Sequence, residues 1–300
     1  MKVDEDGCTL SKTDSKFQGG GGHQVCTCGY MRIKSHKRTL LHYLPVYGCI
    51  ATGIIYTAIG AIAILSFLKV REGGADENSL LAILNDYWVG KIAIGLILLG
   101  TLSYIIWRFY EVCADPYGYG RGIKGIARRV GVGLSTVADI LIVYAAIRVL
   151  VGGTDIQTDG QPMEERELTA YLIQHHGIGP VLAIGITYLV TAIIQALYGI
   201  SQGFRERINI EQFRPVFRWS VQVLAWAGYL ARGVILGIIG YFFLLAGLHH
   251  DPQRVVNTDK AFDFIGDHVG HLWFILVAIG TICYGLFMFA HGRAYDVDGD

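Results

Sequence analysis

Charged side chains are scarce in this chain, at 17% of 300 residues, and six stretches hold almost none. Residues 46–68, 177–204 and 272–290 carry no Asp, Glu, Lys or Arg. Residues 92–107 carry none either and are flanked by Lys91 and Arg108, whose stems can snorkel toward water. Residues 130–147 hold only Asp139, and residues 219–248 only Arg232. A soluble domain rarely sustains 52% hydrophobic residues and a mean hydropathy of +0.42 on so little charge. A hydrocarbon core of ~30 Å takes roughly 20 apolar residues per helix. Six spans are therefore expected, and the fold class is all-α and polytopic.

An excess of either charge sign is also missing. The net charge is +0, so nothing points to nucleic acid. The six cysteines (Cys8, Cys26, Cys28, Cys49, Cys113 and Cys283) form no disulfide framework. No Ser–His–Asp order, phosphate loop or dinucleotide fingerprint occurs where its structural context would need it. No catalytic residue is assigned, and an enzyme is the less favoured reading. A cleavable signal peptide is not expected, because the first apolar run continues as a full span.

What is present is a repeat, and internal repeats set architecture. Gly48, Gly53 and Gly60 recur 180 residues later as Gly228, Gly233 and Gly240. Gly90, Gly100 and Tyr104 recur as Gly270, Gly280 and Tyr284. A looser copy lies between them, with Gly133, Ala138 and Ala145 in its first helix and Gly179 in its second. The organisation expected is a flexible basic cytoplasmic tail over 1–41, then helical hairpins over 42–116, 128–205 and 214–295. Each hairpin starts and ends on the same side. Their symmetry axis should therefore run along the membrane normal, giving a pseudo-threefold six-helix bundle. The spaced glycines read as helix-packing positions.

Lysine and arginine divide 17 to 7 in favour of segments 1–45, 108–129, 205–218 and 291–300 over the opposite loops. Short basic loops stay cytoplasmic, so both termini should be cytoplasmic in a multi-pass protein of the cell inner membrane. Each opposite loop also holds an apolar patch: Leu80, Leu81, Ile83 and Leu84; Leu168, Tyr171, Leu172 and Ile173; Phe262, Phe264 and Ile265. Either a short amphipathic helix on the membrane surface or a loop packed on the helix ends would account for it.

The segment Gly228-Tyr229-Leu230-Ala231-Arg232-Gly233-Val234 and its copy Gly48-Cys49-Ile50-Ala51-Thr52-Gly53-Ile54 resemble the repeat of an uncharacterised bacterial membrane family, the domain of unknown function 1206. The copy over 133–139 departs most, lacking both the Arg and the second Gly. The resemblance covers roughly residues 41–295 and implies an architecture of three two-helix units. It implies no activity.

Asp139 and Arg232 are candidates for function because intramembrane charges are costly. Repeat-equivalent positions on parallel helices put them at similar depth in the inner half of the bilayer, where they could form an intramembrane charge pair. The second constellation is six histidines on the outer side: His175, His176, His249, His250, His268 and His271. Imidazole suits transition metals, so a metal or haem is conceivable there, although no zinc motif is present and no cofactor is required. Cys8, His23, Cys26 and Cys28 form a weaker set of the same kind. The tyrosines Tyr56, Tyr104, Tyr144, Tyr188, Tyr198 and Tyr284 read as packing and interface anchors rather than chemistry.

Three functions fit. The first is a non-enzymatic scaffold, lipid-interacting module or accessory subunit, with membrane lipids, a membrane-protein partner or a second copy as its partners. The second is a small-solute or ion transporter or channel along the bundle axis. The third is an outer-face metal- or haem-binding redox protein. A water-sized axial cavity lined by Asp139 and Arg232 would favour the second, three or more converging outer imidazoles the third, and a dry axis with dispersed histidines the first.

Overall fold

The computed structural model describes residues 35–68, 74–85, 87–114, 160–203 and 215–293, with single positions between 120 and 151. Five long helices carry the fold: α1 (Ser35–Phe67), α3 (Trp88–Ala114), α5 (Gly179–Ile200), α6 (Pro215–His249) and α8 (His271–Arg293). Three short ones lie between them: α2 (Glu77–Asn85), α4 (Met163–His176) and α7 (Thr258–Phe264). Each long helix contains a stretch long and apolar enough to cross a membrane, and no strand occurs among the described residues. The protein is an all-α polytopic membrane protein. The third expected span lies largely outside the described residues. Of its described positions, Val132, Thr136, Ile140, Val143, Tyr144 and Ile147 are helical.

The long helices pack in the spatial order α3, α1, α8, α6, α5. They are apolar on all sides, so one face meets a neighbouring helix and the other is left for lipid. On α6, Ala225 and Ala246 are fully buried whereas Val234 and Tyr241 are about half exposed. Helix α1 starts at Ser35, ahead of the boundary expected at 41, so the basic stretch before the first span continues it as helix.

Close approach is set by glycine, and it follows the sequence offsets down to single contacts. A Cβ added to Gly48 would overlap Tyr104, and one added to Gly228 would overlap Tyr284. Gly100 faces Ala51 and Tyr47, and Gly280 faces Ala231 and Ala227. Every partner has moved by 180, so α1–α3 and α6–α8 share one register.

A second offset governs the other interface type. An added Cβ would lie 3.0 Å from the Gly285 carbonyl at Gly53, and 2.7 Å from Ile282 and 2.8 Å from the Ala278 carbonyl at Gly60. At Gly233 it would lie 3.2 Å from the Ala192 carbonyl, and at Gly240 2.9 Å from the Leu189 nitrogen and 3.0 Å from the Gly185 carbonyl. The steps 285 to 192, 282 to 189 and 278 to 185 are all 93 residues. The α6–α5 contact therefore reuses the register of the α1–α8 contact.

The short helices start where their sequences favour it. Glu77 opens α2, and Glu164 and Glu165 lie in the first turn of α4, where acidic side chains complement the helix dipole. Asn257 caps α7, accepting from the Lys260 backbone N–H at 3.1 Å. Two of the loop patches pack inward rather than lying on a surface. Leu80, Leu81, Phe262 and Ile265 are buried in the bundle, while Leu168 and Tyr171 of α4 are exposed.

Candidate ligand cavity

Arg232 lies at the midpoint of α6, 17 residues from Pro215 and 17 from His249. At ~1.5 Å per residue, each end is about 26 Å away. A guanidinium at that depth needs partners or water. Its Nη1 donates to the Tyr284 hydroxyl at 2.5 Å, and its charge lies 4.7 Å over the Tyr56 ring and 4.9 Å over the Tyr284 ring. The two rings meet edge to face at 5.1 Å. Arg232 is thus held by two cation–π contacts and a charged hydrogen bond. Tyr104, the counterpart of Tyr284, also receives an arginine, but from its own helix: Arg108 donates to its hydroxyl at 2.5 Å.

Arg232 forms one end of a cavity of roughly 470 Å³. Its walls are aromatic and aliphatic: Tyr56, Tyr144, Tyr188 and Tyr284, with Ile235, Leu236, Ile239 and Phe243 along α6. Tyr188 stacks on Phe243 at 5.6 Å. The opposite end is acidic, with Glu77, Glu164, Glu165 and Glu167, and it reaches the surface at the exposed Glu167. Ligand sites are commonly concave, largely apolar and of this size, with a few convergent polar groups.

The acidic end has the same internal offsets as the bundle. Glu77, Glu164 and Asn257 each stand at the start of a short helix and line the cavity. The step from 77 to 164 is 87 and from 164 to 257 is 93, together 180. Hydrogen bonds tie the three loops together. Thr258 Oγ1 donates to Glu77 Oε2 at 3.3 Å, and Asn257 Nδ2 donates to the Gly160 carbonyl at 3.1 Å and Asp76 Oδ2 at 3.4 Å. The Ala75 backbone N–H donates to Asp259 Oδ1 at 2.6 Å.

Burial dominates the ionisation of this end. It raises the Glu77 carboxyl, against the lowering pull of its own backbone bond, Arg232 and the Thr258 hydroxyl. It lifts Glu165 to about 7, with Asp76, Glu164 and Glu77 adding repulsion. It lifts Asp259 to about 6. Loss of water outweighs the helix N-terminus here.

Below Arg232 the bundle is packed with rings. Tyr104, Trp107, Tyr284, Phe287 and Met288 form a buried cluster with Cys49, Val221 and Ala225. Tyr229 joins it, 5.4 Å from Tyr284 and 5.6 Å from Phe287.

The other sequence candidates fall elsewhere. Asp139 and the Cys8–Cys28 set lie outside the described residues. The six loop histidines are exposed, and Nδ1 of three of them, His175, His249 and His268, meets the carbonyl four residues earlier. His271 packs on Phe67. Among the described residues no three His, Cys, Asp or Glu come together as a metal-holding group. The glutamates were missed. Their signal was the 87-residue spacing of Glu77 and Glu164, with Asn257 a further 93 residues on, which hydropathy does not register.

Two regions of the chain, 47–115 and 227–294, match the model of the Domain of Unknown Function (DUF1206). The chain is also 25% identical over 264 residues to "Uncharacterized protein YxxB" of Bacillus subtilis (strain 168), covering 87% of this chain and 94% of that protein. No solved structure matches. The two matched regions contain the hairpins α1–α3 and α6–α8, the pair related by the 180-residue offset. This chain is a polytopic membrane protein that is similar to that domain of unknown function over two separate regions.

Proposed function

We propose that this protein is a small-solute transporter. In this reading it is a six-span, pseudo-threefold bundle in the cell inner membrane, with both termini cytoplasmic. Its solute site is the cavity between Arg232 and the glutamates. The observation that carries the reading is a ligand-sized cavity reaching from a mid-helix arginine to the exposed Glu167, with residues of all three hairpins in its wall: Tyr56 and Glu77; Tyr144, Glu165 and Tyr188; Arg232 and Tyr284. A scaffold has no use for an arginine at that depth beside open volume.

The register arithmetic supports the ring. The first helix of the third hairpin meets the second helix of the middle one as α1 meets α8. A third contact of this type, between the third span and α3, would close it. The glycines then act as packing positions that repeat around the axis. The aromatic cluster below Arg232 is the inner barrier, and transport requires it to part.

Ala225, fully buried in that cluster, gives the test. In a cysteine-free protein in inside-out vesicles, Ala225→Cys should react slowly with a membrane-impermeant thiol reagent. In right-side-out vesicles it should not react. Protection from both sides would make the cavity a one-sided receptor or a scaffold feature, and would end the transport reading.

A further inference from the structure

The charge and shape of the cavity define a ligand class, and this step rests on the cavity reading above. Four carboxylates line it against one guanidinium, and no lysine or histidine is among its described lining residues. That guanidinium already binds the Tyr284 hydroxyl and two ring faces. Glu165 Oε2 is buried in the wall with no hydrogen-bond donor among the described residues. A buried carboxylate oxygen without a donor is costly, and a ligand N–H satisfies it. Beside it runs an apolar stripe on α6, from Ile235 and Leu236 through Ile239 to Phe243, which spans about 12 Å at the helical rise. Tyr188 closes the stripe with a ring face turned to Phe243.

We propose that the cavity binds a small organic cation, a primary ammonium group on an apolar body. The ammonium sits among Glu165, Glu164 and Glu77, and the body lies along the Ile235–Phe243 stripe. Arg232 sets the lower limit of the site by repelling the cation from the aromatic barrier.

Binding then exchanges a proton. The groups acting on Glu165 are Asp76 and Glu77 from the α2 side and Glu164 on its own helix; Glu165 in turn acts on Tyr188 of α5. Arg232 of α6 acts on Glu77, and Asp259 of α7 acts with Asp76. Burial first, and then repulsion from Asp76, Glu164 and Glu77, lift the Glu165 carboxyl to about 7, so the empty site keeps its proton near neutrality. When the ammonium enters, the carboxyl O–H breaks, the proton leaves to solvent, and the ammonium N–H takes its place. Charge balances without any redox partner.

The test is calorimetric titration of the full chain in detergent with phenethylammonium, using 3-phenylpropionate as the anion of similar shape. Phenethylammonium should bind, and 3-phenylpropionate should not. With a carboxyl titrating at about 7, affinity at about pH 5.5 should be about 30-fold weaker than at about pH 8.5. The heat should vary with the ionisation enthalpy of the buffer, reporting the released proton. Glu165→Gln should weaken binding at least about tenfold and flatten the pH profile, with its elution in size exclusion unchanged. Binding of 3-phenylpropionate instead, a flat pH profile for the native protein, or no binding of the amine at roughly 5 mM would each overturn the proposal. The native pH profile keeps the test decisive if the variant misfolds. Failure here with Leu236→Cys still reachable by a charged reagent removes only the ligand class; failure of both removes the cavity reading as well.

Discussion

Replacing Gly240 by alanine should destabilise the bundle, while the same change three residues earlier should not. At Gly240 the new Cβ meets backbone, 2.9 Å from the Leu189 nitrogen and 3.0 Å from the Gly185 carbonyl. Backbone atoms in a packed helix cannot step aside, so α5 must move away from α6. Overpacking of this kind costs about 1–3 kcal/mol, and alanine's better helix propensity returns about 1 of it. At Gly237 the nearest atom is Ala192 Cβ at 3.8 Å, an ordinary contact, so only the propensity gain remains. The propensity gain is common to both, so the two variants should differ by the overpacking cost, about 1–3 kcal/mol. At about 2–4 °C per kcal/mol for a chain of this size, their thermal midpoints in detergent should lie roughly 2–12 °C apart. The unfolding can be followed through exposure of the buried Cys49. Equal midpoints, or a Gly240→Ala protein more stable than Gly237→Ala, would refute the argument that this glycine sets the α5–α6 distance.

Glu165→Gln should stabilise the protein in a pH-dependent way. The folded carboxyl sits at about 7, above its ordinary 4.5, so the folded state prefers it protonated. That stability is fully present below about pH 4.5 and declines as pH rises to about 7. The glutamine variant should match the native protein in acid and exceed it above neutrality by at most about 3 kcal/mol, measured as midpoint against pH. A gain at acid pH would count against burial as the cause. For Asp139 and Arg232, removing one charge should cost ~3–5 kcal/mol and removing both less, if the two form a pair. Additive effects across the four-member cycle would show two independent charges.

The long helices were legible because each carries a long apolar run, broken only by Arg232 in α6, and the runs 46–68 and 272–290 already place the apolar parts of α1 and α8. The start of α1 was not. Nothing in the polar stretch near Ser35 marks a helix boundary, and hydropathy cannot detect a helix leaving the membrane. The repeat was legible at 180 residues because α1–α3 and α6–α8 kept their glycines against the same partners. The 93-residue relation was hidden, since Ala192 stands where Gly285 does and Leu189 where Ile282 does. Small or aliphatic partners satisfy the contact, so identity is lost while register survives. Arg232 stood out as a charge in an apolar run. Glu77, Glu164 and Glu165 did not, because an acid at a helix start is ordinary. Only the fold shows that the starts of α2 and α4 meet that of α7 over one cavity.

A solute site at Arg232 requires that water and charged solutes reach the middle of α6 from the face where Glu167 is exposed. Leu236 lines the cavity one turn above Arg232, while Val234 on the same helix is 46% exposed on the outer surface of the bundle, where lipid would lie. In right-side-out vesicles of a cysteine-free protein, a membrane-impermeant cationic thiol reagent should modify Leu236→Cys readily and leave Val234→Cys untouched. Protection of Leu236→Cys from that side, or equal reactivity at both positions, would contradict the cavity as a solute site.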